Sequence, residues 1–184
     1  MGIFSDIKEV KRKDPAARSS LEVLLTYSGM HAVWLYRVAH MFWKIKLKLI
    51  ARIISSFAKV ITGVEIHPGA TIGKNFVIDH GNGVVIGATA MIGSNVLIYH
   101  QVTLGGTGNE TGSKRHPTVC DNAMIAAGAK ILGNIYVGKN AKVGANAVVL
   151  KDVPDNATAV GIPARIIYNG DVNDENCSLL FKTK

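Results

Sequence analysis

Cysteine is almost missing from this chain. Two of its 184 residues are cysteine, Cys120 and Cys177. They are too few and too far apart for a disulfide framework, a Cys-x-x-Cys redox pair or a zinc ribbon. A reducing cytoplasm is therefore the expected compartment, with both thiols as ordinary packing or tail residues. Long apolar runs are also missing. The nearest candidate, KIKLKLIARIISSFAKVI, is interrupted by Lys46, Lys48 and Arg52, whereas a membrane-spanning helix needs about 20 apolar residues. That stretch is basic and amphipathic, a pattern shared by membrane-surface helices. The expected role is plainer: a helix covering strand edges at the open end of the fold that follows. No secretory leader is expected, because MGIFSDIKEVKRKD is charged and has no apolar core. Acidic residues are scarce, 13 against 21 Lys and Arg, for a net charge of +8. The excess lies in residues 1–60, with 11 basic and 4 acidic residues, so the rest of the chain is near neutral. The positive segment lacks a recognition helix or RNA-binding signature, which argues against a nucleic-acid partner.

Glycine is rare early and common late: 17 of 19 glycines follow residue 60, while seven of twelve aromatics precede it. This shift near Ile61–Gly63 predicts an N-terminal helical domain over 1–62, a second domain over 63–168 and a tail over 169–184. In the first domain, Asp14-Pro15 reads as a helix start, with a capping carboxylate before proline at the first helical position. The helix would run to Tyr27 and break at Gly29. Val33, Trp34, Val38, Met41 and Phe42 then recur at helical spacing in His31–Lys44.

The second domain counts in sixes. Aliphatic residues recur at Ile66, Ile72 and Ile78, then Ile86, Ile92, Ile98 and Leu104, then Val119, Ile125, Ile131, Val137, Val143 and Val149. A small or apolar residue follows most of them by four, as at Ala70, Ala90, Val96, Ala123, Ala129, Ala141 and Ala147. Neither a helix nor a simple strand has this period, but a parallel β-helix does. Three hexapeptides close one triangular coil, and coils stack at about 4.8 Å. The fold class expected is mainly β, a left-handed parallel β-helix with an N-terminal α-helical domain; the hand follows from hexapeptide proteins as a class.

The period breaks twice. One break spans His80-Gly81-Asn82-Gly83 and reads as a corner bulge. The other, GGTGNETGSKRHPT between Leu104 and Val119, reads as a loop thrown out of the prism. Loops on a rigid scaffold are where binding and catalytic groups gather. Each break holds a histidine, His80 after Asp79 and His116 after Arg115. An imidazole beside a carboxylate suits a general base. Glu65, fifteen residues before His80 and nearly one coil away, is expected to stack close to it. The intervals among His67, His80, His100 and His116 lack the close spacing of a zinc site, so no metal is expected.

The segments GVEIHPGATIGKNFVIDHGNGVVIG, QVTLGGTG, KRHPTV and VGANAVVLKDVPDNATAVGIPARII closely resemble bacterial serine O-acetyltransferases, as does DPAARSSLEVLLTYSGMHAVWLYRVAH. The match covers roughly residues 6–168. The resemblance implies transfer of acetyl from acetyl-CoA to the hydroxyl of L-serine, in cysteine biosynthesis, without a metal. It implies His80 as catalytic base paired with Glu65, where many members have Asp. Asp14 and Asp79 match serine-binding acids, and Arg115 and His116 the pair that grips the serine carboxylate. Gly106, Ala127 and Ala145 match positions along the acetyl-CoA groove, and Lys130, Lys139, Lys142 and Lys151 are candidates for the CoA phosphates. The family implies a homotrimer, or a hexamer made as a dimer of trimers. In many members a tail ending in isoleucine inserts into O-acetylserine sulfhydrylase; this tail ends in Lys184. Ala88 replaces a glutamate common in the family. The alternative is a hexapeptide O-acetyltransferase acting on a sugar or another hydroxyl acceptor.

Overall fold

The computed structural model describes residues 2–108 and 113–168. Four helices come first: α1 (Ile3–Lys13), α2 (Ser20–Thr26), α3 (Ser28–Lys44) and α4 (Lys48–Thr62). Fifteen short strands follow, numbered in chain order, and form the three faces of a prism. The first face stacks β1 (Glu65–Ile66), β4 (Val85–Ile86), β7 (Thr103–Gly105), β10 (Lys130–Leu132) and β13 (Val148–Val149). The second stacks β2 (Thr71–Ile72), β5 (Met91–Ile92), β8 (Thr118–Val119) and β11 (Tyr136–Val137). The third stacks β3 (Val77–Ile78), β6 (Leu97–Ile98), β9 (Met124–Ile125), β12 (Lys142–Val143) and β14 (Thr158–Val160), and β15 (Arg165–Ile167) closes it antiparallel to β14. Every other pairing is parallel, and the coils form a left-handed β-helix.

The six-residue period does what its chemistry requires. Ile86, Ile98, Leu104, Ile125, Ile131, Val137 and Val143 are fully buried and stack along the prism axis, and Ala70, Ala90, Ala129, Ala141 and Ala147 fill the space beside them. The breaks shift the register. Ile66 stacks on Ile86 because the bulge lengthens the first coil, Leu104 on Ile131 because of the long loop, and Ile131 on Val149 where the repeat is unbroken. Asn75, Asn95, Asn122, Asn140 and Asn156 all take positive φ at one corner, a conformation asparagine tolerates because its side chain bonds locally. Their amides also bond between coils, Asn75 Nδ2 to Asn95 Oδ1 at 2.8 Å and Asn140 Nδ2 to Asn156 Oδ1 at 3.0 Å.

The helices cover the first coil through hydrogen bonds as well as packing. A terminal coil leaves edge carbonyls without a neighbouring strand, and buried ones need partners. Ser55 Oγ donates to Ile66 O at 2.7 Å, and Tyr36 Oη to Ala70 O at 2.7 Å. His40 Nδ1 meets Pro68 O at 2.8 Å. Lys13 Nζ reaches Asn75 O at 3.0 Å and Asn95 O at 2.9 Å. Ala32, Val33 and Tyr36 of α3 join the prism core, so one apolar core runs across the helix–prism junction.

Two expectations for the helices need correction. Asp14 ends α1 and does not begin α2: its N–H closes the last turn on Val10 O at 2.8 Å, and Pro15 forces it to an extended conformation. The next helix starts at Ser20, capped by Ser19 Oγ accepting from Glu22 N. Gly29 lies in the first turn of α3 and breaks nothing. In α3, Val38 and Met41 are exposed, while Met30, Ala32, Val33, Tyr36 and Ala39 turn inward. In α4, Ala51, Ser55, Ala58 and Thr62 are buried, and Leu49, Ile53, Phe57 and Val60 are exposed. Among the described residues no helix is long and apolar enough to cross a membrane. Cys120 is half-buried and free, with its thiol pKa pushed up by burial and by Asp155 and Asp121; Cys177 and the tail lie outside the described residues.

The junction carries an acid-sensitive group. His67 packs edge-on against Trp43, with ring centroids 5.0 Å apart, and its Nδ1 accepts from Gly69 N at 2.9 Å. Burial, reinforced by Arg52 and His116, pushes its pKa from 6.5 down to about 4. The folded ring therefore stays neutral where the unfolded one is already protonated. Stability from this site is complete above the ordinary value of 6.5 and is lost as pH falls toward about 4. The thermal midpoint is expected to drop across that window. His67→Asn keeps an acceptor for Gly69 and should flatten the drop; an unchanged slope would remove His67 as its source.

Candidate active site

Two edges of the prism carry the residues singled out by the sequence. The edge between the third and first faces holds the bulge. Here His80 takes a left-handed conformation, φ 59°, followed by Gly81 at φ 67° and Gly83 at φ 74°. The bulge pushes the His80 side chain outward, leaving it 73% exposed. Its Nε2 lies 3.8 Å from Asp79 Oδ1, near enough for electrostatic attraction but too far for a hydrogen bond. His100 occupies the same corner one coil on and packs edge-to-face with His80 at 5.8 Å. Its Nδ1 is buried without a hydrogen-bond partner among the described residues. Ala127 and Ala145 continue this edge: Gly128 N donates to His100 O, and Asn146 N to Ala127 O.

Beside the bulge, the helices and the prism enclose a cleft lined by Lys13, Asp14, Tyr27 and Asp79. Asp14 Oδ2 accepts from Tyr27 Oη at 2.6 Å, and its Oδ1 from Ala16 N at 2.8 Å. The bond to Asp14 pushes the Tyr27 pKa up to about 12, so the phenol remains a donor. Tyr99 is also raised, first by burial and then by Asp79 and Asp14. Asp14 and Asp79, 65 positions apart in the chain, thus line one cleft next to His80.

Glu65 makes no hydrogen bond or ion pair with His80 among the described residues. It stands opposite Val85 on the first face, and its carboxylate meets Lys59 Nζ at 2.6 Å. His100 takes the position equivalent to His80 on the following coil, while Glu65 belongs to the coil before it. The expectation of a Glu65–His80 stack is corrected accordingly.

The other edge, between the first and second faces, holds Gly106, Arg115 and His116, where the long loop returns to the prism. His116 is buried in a recess that exists because residue 87 is glycine: a Cβ there would fall 2.0 Å from His116 Cδ2. Burial, with Arg115 and Lys114 nearby, lowers the His116 pKa and so favours the neutral ring. A Cβ on Gly106 would lie 3.4 Å from Arg115 O, so the two backbones run close together. His80 and His116 therefore occupy different corners of the same prism.

Of the candidate phosphate-binding lysines, Lys130 bonds Gln101 O, while Lys139, Lys142 and Lys151 are exposed. Among the described residues no three His, Cys, Asp or Glu side chains converge on a metal position. The geometry adds His100, Tyr27 and Thr89 to the residues chosen from sequence. His100 is legible once the bulge is counted into the coil. Tyr27 and Thr89 carry no pattern that marks them, since only folding brings them to Asp14 and to the returning loop.

Residues 116–151 match the family model for bacterial transferase hexapeptide (six repeats). The chain is 59% identical over 177 residues to a serine acetyltransferase of Bacillus pumilus, an alignment covering 93% of this chain and 81% of that protein. Among solved structures, soybean serine acetyltransferase complexed with serine superposes with a TM-score of 0.86 at 48% identity, covering 90% of this chain and 68% of that one. The Brucella abortus serine acetyltransferase in complex with coenzyme A gives a TM-score of 0.87 at 44% identity, covering 90% and 66%. With these likenesses spanning helices and prism alike, the chain belongs to the serine acetyltransferase family.

Proposed function

We propose that this enzyme transfers the acetyl group of acetyl-CoA directly to the hydroxyl of L-serine, with His80 as the general base. The observation that carries this reading is the solvent-facing imidazole on a glycine-flanked bulge, beside the Asp14–Asp79 cleft. A serine hydroxyl is a poor nucleophile at neutral pH until a base takes its proton. His80 accepts that proton as the oxygen attacks the thioester carbon. The tetrahedral adduct collapses with cleavage of the C–S bond, and the imidazolium returns the proton to the departing thiolate. Asp79 flanks the ring, its Oδ1 3.8 Å from His80 Nε2. Glu65 is carried as the second member of the pair; to reach His80 it must exchange Lys59 for the imidazole. Asp14 and Asp79 supply acceptors for the substrate ammonium, while Arg115 and His116 supply donors for its carboxylate. Gly106, Ala127 and Ala145 leave room for the pantetheine arm.

The site is shared between protomers in this reading. His80, Ala127 and Ala145 run along one edge and Gly106, Arg115 and His116 along another, so an adjacent copy is needed to bring them together. A homotrimer, alone or paired as a hexamer, does this by symmetry. The exposed apolar face of α4, with Leu49 75% and Val60 82% accessible, supports such an assembly. Thiol release from acetyl-CoA is expected to depend on L-serine and not on sugar acceptors; release with sugars alone would overturn the choice of substrate. Co-refolding His80→Ala chains with His116→Ala chains should restore turnover that neither has alone at low L-serine. A mixture no more active than its parents would place the whole site within one protomer.

A further inference from the structure

The hydroxyl of Thr89, at the corner following β4, uses its full hydrogen-bonding capacity on the returning loop. It accepts from Arg115 N at 3.0 Å and His116 N at 3.2 Å, and it lies 2.8 Å from His116 Nδ1. The Thr89 backbone N–H also donates to His116 Nδ1, at 3.2 Å. A hydroxyl has one proton and two lone pairs. With both lone pairs occupied by amide hydrogens, its proton goes to Nδ1. Two donors therefore converge on Nδ1, which must be unprotonated, and the ring carries its hydrogen on Nε2. Gly87 confines the other side of the ring, with a virtual Cβ 2.2 Å from Nε2. The neighbouring side chain, Ala88, has no polar atom to offer.

We propose that Thr89 is the positioning residue that fixes the orientation and the Nε2–H tautomer of His116 and holds the Arg115 backbone beside it. The neutral ring then presents a donor, matched to an anionic group such as the carboxylate of an amino-acid substrate. The part concerning substrate rests on the proposed function; the tautomer does not. Protonation of Nδ1 would set it against both Thr89 donors, in the same direction as the lowered pKa of the ring.

The test uses Thr89→Val, which keeps the shape and removes the hydroxyl, and Thr89→Ser, which restores it. Thr89→Val should raise KM for L-serine about tenfold or more, the effect of stranding buried partners, with KM for acetyl-CoA unchanged. Thr89→Ser should return KM for L-serine toward the parent value. Independently, long-range nitrogen–proton NMR of His116 in the unliganded parent should show hydrogen on Nε2, and Thr89→Val should lose that preference. An active Thr89→Val enzyme with unaltered KM for L-serine overturns the proposal, as does a parent His116 with hydrogen on Nδ1. Should Thr89→Val fail to fold, the parent NMR result and the Thr89→Ser kinetics decide. Absence of serine-dependent turnover in the parent would remove the proposed function, and the tautomer measurement would still decide the role of Thr89.

Discussion

His80→Ala is expected to lower serine-dependent thiol release by roughly 10²- to 10⁴-fold, the range that a positioned general base contributes. Binding of acetyl-CoA, followed by calorimetry, should persist, because His80 is placed to act on the acceptor hydroxyl. The residue also sits at φ 59°, so a loss of activity could be confused with backbone strain at the bulge. His80→Asn separates the two. Asparagine is enriched at positive φ, so this variant keeps the corner while removing the base. Both variants should be equally inactive, with His80→Asn the more stable of the two. Normal turnover in either would eliminate His80 as the base, whatever the family resemblance.

Gly29→Val is expected to cost both stability and activity. A Cβ at Gly29 would lie 2.2 Å from Ile78 O and 2.9 Å from Ile78 Cβ. The first neighbour is backbone and cannot swing aside. Gly81 faces the same contact, with its virtual Cβ 3.4 Å from Gly29 Cα and 2.9 Å from Val64 Cγ2. Two glycines thus let α3 rest directly on the bulge that carries Asp79 and His80. Forcing them apart is overpacking, typically about 1–3 kcal/mol. The urea midpoint should fall with the slope unchanged. Turnover of the remaining folded protein should also fall, since the helix positions one wall of the Asp14–Asp79 cleft. Wild-type stability and rate together would show that α3 does not depend on this close approach.

The interruptions of the period were more informative than the period about chemistry, but only in part. Count and phase identified the bulge at His80 and the loop at Arg115–His116, because a missing beat in a stacked repeat must be accommodated outside the prism. They did not reveal how far each break displaces the register, and that is why Glu65 was expected beside His80 when it stands opposite Val85. Lys59, which binds Glu65, belongs to a helix whose docking angle has no local signature. The helical segment carries weaker local signals. Asp14-Pro15 has the form of a helix start, yet it ends α1, because the same residues satisfy a stop once a helix precedes them. The apolar spacing of α3 and α4 gave their existence, but not which stripe turns inward.

What the sequence determined by itself is what repeats locally: the triangular coil, its stacked aliphatic core, its asparagine and glycine corners, and the places where the coil must open. These follow from side-chain size and backbone conformation within six residues. The tertiary structure decided which distant groups meet: Asp14 with Tyr27 beside Asp79, Gly29 with the bulge, and Thr89 with His116. Such contacts depend on loop length, register and the docking of rigid elements. They are set by the packing of the whole chain, and no short segment of sequence contains enough of that packing to specify them.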